Sequence, residues 1–180
     1  MIDYIILGMV LHKPLTGYDI KKEIETGIGN FYKASYGSLY PALKKLTDKG
    51  CLILSEQRQV ERLKKYYMAT GLGKTAFMEW LCSPIDINAG TASMLAKIFF
   101  FGELPRDIRS ERLQECECEI QKVLAKHKKI EEQFADSIEN DKDYFELSTL
   151  YFGLQTAQGL IRWLKHIKEQ KPFSTFIKEE

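Results

Sequence analysis

Residues 35–50, SYGSLYPALKKLTDKG, are the stretch on which the interpretation of this chain depends. In a helix, apolar residues at offsets of three, four and seven share one face. The residues with this spacing are Leu39, Ala42, Leu43 and Leu46. Gly50 follows them, and a glycine just past the last apolar position commonly ends a helix. The stretch therefore predicts an amphipathic helix with its apolar face in a core.

The opposite face of this helix is polar and basic, with Ser38, Tyr40, Lys44 and Lys45. The helix begins near Ser35 and Tyr36. A helix that starts with small polar residues and tyrosine, and continues with lysine, suits insertion into the major groove of DNA. An ordinary core helix with a solvated face has the same pattern, so the segment alone leaves both interpretations open.

Two further helices are predicted before this stretch. Residues 2–12 are apolar on nearly every side, which is typical of a helix buried between other elements, and Pro14 ends it. Thr16 begins the next helix, with Asp19 in the position of a capping box, and Gly27 ends it. Helix, turn, helix, loop and third helix make a helix-turn-helix core.

The pattern changes period after the third helix. Apolar runs at 51–55 and 63–69 flank the charged segment 56–62, which predicts two short strands joined by a polar loop. A hairpin directly after the third helix is a wing, and basic side chains on a wing bind DNA phosphates without reading sequence. The basic residues of this hairpin are Arg58, Arg62, Lys64 and Lys65.

At this point the chain resembles a known family. The segments LTGYDI at 15–20, GSLYPALKKL at 37–46 and KKYY at 64–67 occur in the order and spacing of PadR-family transcriptional regulators. The resemblance spans residues 2–80 and implies a winged helix-turn-helix that binds operator DNA as a dimer, usually as a repressor. It places the DNA-contacting positions of the family at Tyr18, Tyr36, Ser38, Tyr40, Lys44, Lys64 and Lys65.

Structural alternatives remain open at several of these positions. Tyr18 and Tyr40 could be aromatic residues at the edge of the core. Lys64 and Lys65 alternate along a strand, so they point to opposite faces, and a solvated lysine is the alternative for either. The segment from Gln57 to Arg62 lacks the glycine that the family commonly has at the wing tip.

Charge divides the chain, although its net charge is only +1. Residues 1–82 hold twelve Lys and Arg against eight Asp and Glu, a net charge of +4. Residues 83–180 hold fourteen against seventeen, a net charge of −3. This division indicates a module that binds a polyanion, joined to one that binds protein.

Several classes of protein are not expected. The four cysteines form no Cys-x-x-Cys pair and lie far from the histidines in sequence, so we expect reduced thiols in a cytoplasmic protein, without a metal site or cofactor. No basic leader of a signal peptide and no apolar run long enough to span a membrane is present. No nucleophile–base arrangement or phosphate-binding glycine loop indicates an enzyme.

The second half of the chain predicts a helical domain for dimerisation. The predicted boundaries are 1–82 for the DNA-binding domain, 83–90 for a linker, 91–171 for the helical domain and 172–180 for a tail. A short apolar helix is followed by two long helices, whose apolar residues recur at intervals of three and four, as in a coiled coil. The predicted dimerisation residues are Leu113, Cys116, Ile120, Val123, Ile130, Phe134, Leu147, Leu150, Leu154, Ile161 and Leu164.

The last helix has a wider apolar stripe than one antiparallel partner can cover, which predicts a second subunit. The helical domain resembles the three-helix dimerisation module of AphA-like PadR proteins. Phe99, Tyr151, Phe152 and Trp163 could line an apolar pocket for a small hydrophobic or aromatic effector, and plain dimer core is the alternative.

The predicted fold is therefore mainly α, with an N-terminal winged helix-turn-helix, a two-stranded β wing and a C-terminal antiparallel helical dimerisation domain. The predicted function is that of a homodimeric repressor on a pseudo-palindromic operator of double-stranded DNA, released by a small ligand. The alternative is a winged-helix module that binds protein without binding specific DNA.

Overall fold

The computed structural model describes residues 1–59, 62–134 and 138–176, and for Arg58, Gln59 and Arg62 it describes only the backbone. Contacts divide the chain into two compact units, Met1–Pro105 and Arg106–Glu180. The predicted fold class is confirmed. The first unit combines helices with a small antiparallel sheet, and the second is built on two long helices.

The first unit contains five helices and three strands within the described residues. In chain order they are α1 (Ile2–Met9), β1 (Leu15–Thr16), α2 (Gly17–Gly27), α3 (Tyr36–Asp48), β2 (Leu52–Gln59), β3 (Arg62–Ala69), α4 (Gly71–Cys82) and α5 (Thr91–Phe99). The sheet has the order β1-β3-β2, and both pairs are antiparallel. Tyr67 on the central strand lies opposite Leu15 on one side and Leu54 on the other.

The helix α3 has the predicted orientation. All four apolar residues of its stripe are buried, with exposed fractions of 5% or less: Leu39, Ala42, Leu43 and Leu46. They share the core with α1, where Ile5 and Ile6 are fully buried, and with α2, where Ile20 and Ile24 are fully buried. The predicted capping box of α2 is also present, because Thr16 and Asp19 each accept the other's backbone N–H.

The wing is longer than predicted. Glu56 to Gln59, expected in a polar loop, continue strand β2 and pair with residues 62–65 of β3. Glu56 and Gln57 are exposed on successive positions, so neither face supplies the apolar alternation that marks a half-buried strand. The short strand β1 was not predicted either, since two residues are too few to show a period.

The predicted linker is packed against the first unit. Lys97 of α5 is buried and donates from Nζ to the carbonyls of Ser83 and Pro84 and to Ser83 Oγ. These bonds place a cation and hydrogen-bond donors at the C-terminal end of α4, where carbonyls lack helical partners. Phe100 packs edge-on against Phe77 of α4, with ring centroids 5.3 Å apart. By its contacts, α5 belongs to the first unit, whereas the sequence predicted it in the helical domain 91–171. The boundaries of the DNA-binding and dimerisation functions stay a prediction.

One glycine of α4 tests this packing. A Cβ on Gly73 would lie far inside contact distance of the backbone carbonyl of Cys51, and a backbone atom cannot turn aside as a side chain can. We expect Gly73→Ala to lower the free energy of unfolding by about 1–3 kcal/mol, the usual cost of overpacking. Gly71→Ala in the same helix meets nothing within 4 Å and should be neutral or slightly stabilising. Urea titration of both variants measures the difference, and equal stabilities would contradict this packing.

The second unit is an antiparallel pair of long helices, α6 (Arg106–Phe134) and α7 (Asp141–Glu169), followed by the short α8 (Phe173–Phe176). Two contacts between the helices are consistent with the antiparallel arrangement. Lys168 near the end of α7 donates to Gln114 near the start of α6 at 2.5 Å, and Tyr151 of α7 forms a hydrogen bond with Glu131 near the end of α6. Asn140 caps α7 by accepting the N–H of Asp143. The residues buried in the pair include Leu113, Cys116, Ile120, Leu154, Ala157, Ile161 and Leu164.

Candidate nucleic-acid interface

The exposed face of α3 presents two tyrosines and a lysine in one row. Tyr36, Tyr40 and Lys44 follow one another at four-residue spacing, which places them on one side of a helix. Tyr36 and Tyr40 are 47% and 48% exposed, and Lys44 is exposed as well. The two rings are stacked, with centroids 5.9 Å apart and planes inclined by 19°. A helix in the major groove offers such a row to base edges and phosphates.

Ser35 and Ser38 form the N-terminal cap of α3. Ser35 Oγ accepts the N–H of Ser38 at 3.2 Å, and Ser38 Oγ accepts the N–H of Ser35 at 3.2 Å. Both serines stay exposed. The cap accounts for their place in the motif structurally, and their contact with DNA remains a prediction.

The start of α2, the middle of α3 and the wing strand β3 enclose a concavity of about 470 Å³. It brings together four of the residues predicted to bind DNA: Tyr18, Tyr40, Lys64 and Lys65. Tyr18 is 64% exposed. Gly17 makes the approach possible, because a Cβ there would lie 3.1 Å from Cε1 of Tyr40. Burial, together with the nearby Tyr40 hydroxyl, raises the pKa of Tyr67, which lines the same concavity.

The basic residues around this surface differ in how far they are neutralised. Lys45 Nζ lies 2.6 Å from Asp3 Oδ2, and this hydrogen bond raises the pKa of Lys45. Lys65 has a long contact of 3.8 Å with Glu56. Lys44 and Lys64 are exposed, and within the described residues no ion pair engages either one. The side chains of Arg58 and Arg62 lie outside the described residues.

Sequence reasoning missed one residue of this surface. Lys21 of α2 is not among the residues predicted to bind DNA, yet its Nζ lies 4.3 Å from the centroid of the Tyr36 ring. The same Nζ is 2.7 Å from Glu25 Oε1. The i, i+4 spacing of Lys21 and Glu25 is visible in sequence. The contact between Lys21 and Tyr36 depends on tertiary packing, and no local pattern in the sequence indicates it.

The residues predicted for an effector pocket do not share one unit. Phe99 is in the first unit and lies against Gly27, whereas Tyr151, Phe152 and Trp163 are on α7. The second unit has a cavity of about 460 Å³ at the end of its helix pair where α6 ends and α7 begins. Other residues line it: Ile130, Phe134, Ile138, Glu139, Asp143, Glu146, Leu147 and Leu150.

The predicted dimerisation residues fall into two groups. Six are buried inside the helix pair of one chain: Leu113, Cys116, Ile120, Leu154, Ile161 and Leu164. Of the other five, Val123, Ile130, Leu147 and Leu150 are half-buried, and Phe134 at the end of α6 is 53% exposed. Only the second group is available to a partner in this structure, because the first group already packs between α6 and α7.

The cysteines and the remaining polar clusters indicate no further chemistry. All four cysteines are free thiols, and burial raises the pKa of Cys116 to about 11, so this thiol stays protonated near neutral pH. Over the parts of the chain that are described, no three His, Cys, Asp or Glu side chains converge as metal ligands would. In those same parts, no helix has the length and apolar character needed to cross a membrane.

With this geometry in place, comparison with known proteins is direct. The transcriptional regulator PadR-like family matches residues 6–79, and the virulence activator alpha C-terminal family matches residues 92–170. Residues 6–79 are therefore a PadR-like domain, and a virulence activator C-terminal domain follows it. The prediction of that family, with an AphA-like C-terminal domain, is confirmed. The prediction that the chain is not an enzyme is confirmed by the same assignment.

Individual relatives agree with the family. The negative transcriptional regulator PadR of Bacillus subtilis (strain 168) is 28% identical over 174 residues, which cover 93% of this chain and 95% of that protein. Among solved structures, B. subtilis PadR in complex with operator DNA is 27% identical, covers 93% of this chain and 97% of its own, and has a TM-score of 0.45. The complex of that protein with p-coumaric acid is 28% identical, covers 93% and 96%, and has a TM-score of 0.42.

Proposed function

We propose that this PadR-like regulator binds a pseudo-palindromic operator as a homodimer and represses transcription in the cytoplasm. The observation that carries the proposal is the concavity that Tyr40 of the third helix lines together with Lys64 and Lys65 of the wing. Tyr36 and Lys44 continue the row of Tyr40 along the same side of the helix. The residues in this row can enter the major groove and contact bases, while the neighbouring lysines of the wing can bind the phosphates of the DNA backbone. The negative regulator PadR of B. subtilis supports repression as the direction of control.

The homodimer follows from what one winged helix can do. A single recognition helix reaches only a few base pairs, so operator specificity requires two copies at a fixed distance, about one helical turn or a multiple of it. We assign dimerisation to the helix pair α6–α7, on which large apolar side chains remain exposed. They include Phe134, Ile138, Tyr144, Phe145 and Phe152.

DNase footprinting on the region upstream of the protein's own gene tests the operator. The expected result is protection of two half-sites related by two-fold symmetry, at moderate salt. The gene's coding sequence, at equal length and concentration, serves as the nonspecific control. Equal affinity for both DNAs would reject a specific operator and favour the alternative, a winged helix that docks a protein.

Release by a small ligand is the finer part of the proposal. The cavity where α6 ends and α7 begins is lined by five apolar side chains and by Glu139, Asp143 and Glu146. This cavity, together with the exposed rings Tyr151 and Phe152, would take a small hydrophobic or aromatic compound. Since B. subtilis PadR was crystallised with p-coumaric acid, that compound is the first to add to the footprint. Loss of protection at a concentration that leaves the folded protein intact is the expected result; protection unchanged by a panel of aromatic acids would reject release by this class.

A further inference from the structure

Lys21 connects two helices at the edge of the candidate DNA surface. It extends from α2 with 20% of its side chain exposed, and its ammonium faces the ring of Tyr36 at 4.3 Å. Glu25, one turn further along α2, holds the same ammonium at 2.7 Å. Tyr36 in turn stacks on Tyr40. The contacts thus form one continuous series, Glu25 to Lys21 to Tyr36 to Tyr40.

We propose that Lys21 is a positioning residue of the DNA interface, which holds Tyr36, and through the stack Tyr40, in the orientation that meets the bases. The inference rests on the proposed binding of operator DNA. A cation over an aromatic face is attracted by the quadrupole of the ring, so it favours one ring orientation over others. Glu25 restrains the cation itself, because an i, i+4 ion pair limits the rotamers of the lysine.

The geometry distinguishes this role from an ordinary phosphate contact. The hydrogen bond that Lys21 donates to Glu25 raises the pKa of Lys21. Because the Glu25 carboxylate offsets its charge, the Lys21 ammonium gains less from a phosphate than Lys44 or Lys64 does. Exposed tyrosines without such a restraint sample several rotamers, and ordering them on binding costs affinity. If Tyr36 and Tyr40 are already ordered in the free protein, this loss of conformational entropy does not reduce the affinity for DNA.

Four variants separate the two roles. Lys21→Met keeps the apolar stem and removes the cation, Lys21→Arg keeps a cation that can stack on the ring, and Glu25→Gln releases the anchor. Lys22→Met is the matched control, because Lys22 is the adjacent exposed lysine and points to another face of α2. Each variant is titrated against the footprinted operator and a scrambled duplex at several salt concentrations, and its thermal midpoint is recorded.

Positioning predicts a specific pattern. Lys21→Met should lose about fivefold to tenfold in operator affinity, which corresponds to immobilising one or two side chains on binding. Its affinity for the scrambled duplex, its salt slope and its thermal midpoint should stay near those of Lys22→Met. Lys21→Arg should recover operator affinity. Glu25→Gln should weaken operator binding, although removing an acidic group near DNA would strengthen binding if Lys21 served only phosphate.

Other outcomes overturn the inference. A loss that is equal for both duplexes, with a salt slope lower by about one per protomer, identifies Lys21 as a phosphate contact. An unchanged operator affinity in Lys21→Met also rejects positioning. In the free protein, NMR should find the Lys21 side-chain protons shifted upfield by the Tyr36 ring, and less so in Glu25→Gln; absence of that shift rejects the contact itself. If the wild type binds no DNA specifically, the proposed function is rejected. The NMR measurement tests the contact between Lys21 and Tyr36 separately, because it is made on the free protein.

Discussion

Alanine at Lys44, Lys64 and Lys65 together is expected to abolish measurable operator binding at moderate salt while the fold stays intact. All three side chains are exposed, and none contributes to the buried core. Each lysine that neutralises a phosphate releases counterions, which adds about 0.9 to the slope of log K against log salt. A homodimer loses six such charges, so the slope should fall by up to about 5 and the affinity at low salt by at least about a thousandfold.

The matched control removes the same charge elsewhere. Lys126, Lys128 and Lys129 are exposed on α6, and their replacement by alanine changes the net charge equally without touching the winged helix. That variant should keep most of its operator affinity. Fluorescence anisotropy at four salt concentrations measures both variants. Equal losses would mean that only the overall charge matters, and would remove the wing and the third helix as the DNA surface.

The single lysine variants show which side chain of the wing binds the DNA phosphates. Lys64 and Lys65 both border the concavity beside Tyr40, but successive residues of a strand point in opposite directions, so one of them should carry most of the wing's effect. Lys64, with no ion pair among the described residues, is the expected one. Lys65 is drawn toward Glu56 at 3.8 Å. Lys64→Ala should therefore lower the salt slope more than Lys65→Ala. The reverse order would place the other face of the wing against DNA.

Local periodicity explains what the sequence predicted well. The stripe of α3 and the cap at Thr16 each depend on residues within one or two helical turns of each other, so their spacing is visible in the sequence. The wing was recognised from its position but not its length, since Glu56 and Gln57 are solvated on both faces. Short-range patterns therefore predict that a helix or strand exists. They do not predict where a strand ends when its last residues are exposed to solvent on both faces.

Long-range contacts explain what was missed. Nothing near Lys97 in sequence indicates that it donates to Ser83, fourteen residues earlier. Nor does anything near Phe100 in sequence indicate that it packs against Phe77 and against Gly8, where any Cβ would collide with its ring. The contact of Lys21 with Tyr36 is of the same kind. Family resemblance supplied the DNA-binding positions, but the restraints on their side chains required coordinates.

The outer face of α7 provides the second large expected effect. Phe145, Phe152, Gly159 and Trp163 recur at intervals of seven, seven and four, so they share one side of the helix. Helical geometry places this side opposite Leu154, Ala157, Ile161 and Leu164, which are buried against α6. Phe145 and Phe152 are 67% and 75% exposed, and a Cβ on Gly159 would meet nothing within 4 Å. The side chain–free position leaves room for a close approach.

Glutamate at both Phe145 and Phe152 should convert the protein to a monomer. Burying a phenylalanine contributes about 1.5–3 kcal/mol, and two-fold symmetry makes each substitution count twice. The dimer dissociation constant should rise by at least about a thousandfold, because charges replace apolar contacts. Sedimentation equilibrium measures the mass. Cys118→Glu is the control, since it adds a carboxylate to an exposed position of α6 and should leave the dimer intact.

Monomerisation should also remove operator specificity, although the winged helix itself is unchanged. One recognition surface reads too few base pairs to tell an operator half-site from random DNA with high selectivity. The Phe145→Glu, Phe152→Glu variant should therefore bind operator and scrambled DNA with similar, weak affinity, and its circular dichroism should match the wild type. If it stays a dimer, the partner occupies another surface, such as the end of the helix pair near Phe134. If it becomes a monomer that still protects the operator fully, the row of Tyr36, Tyr40 and Lys44 is sufficient for recognition, and the dimer serves some purpose other than reading DNA.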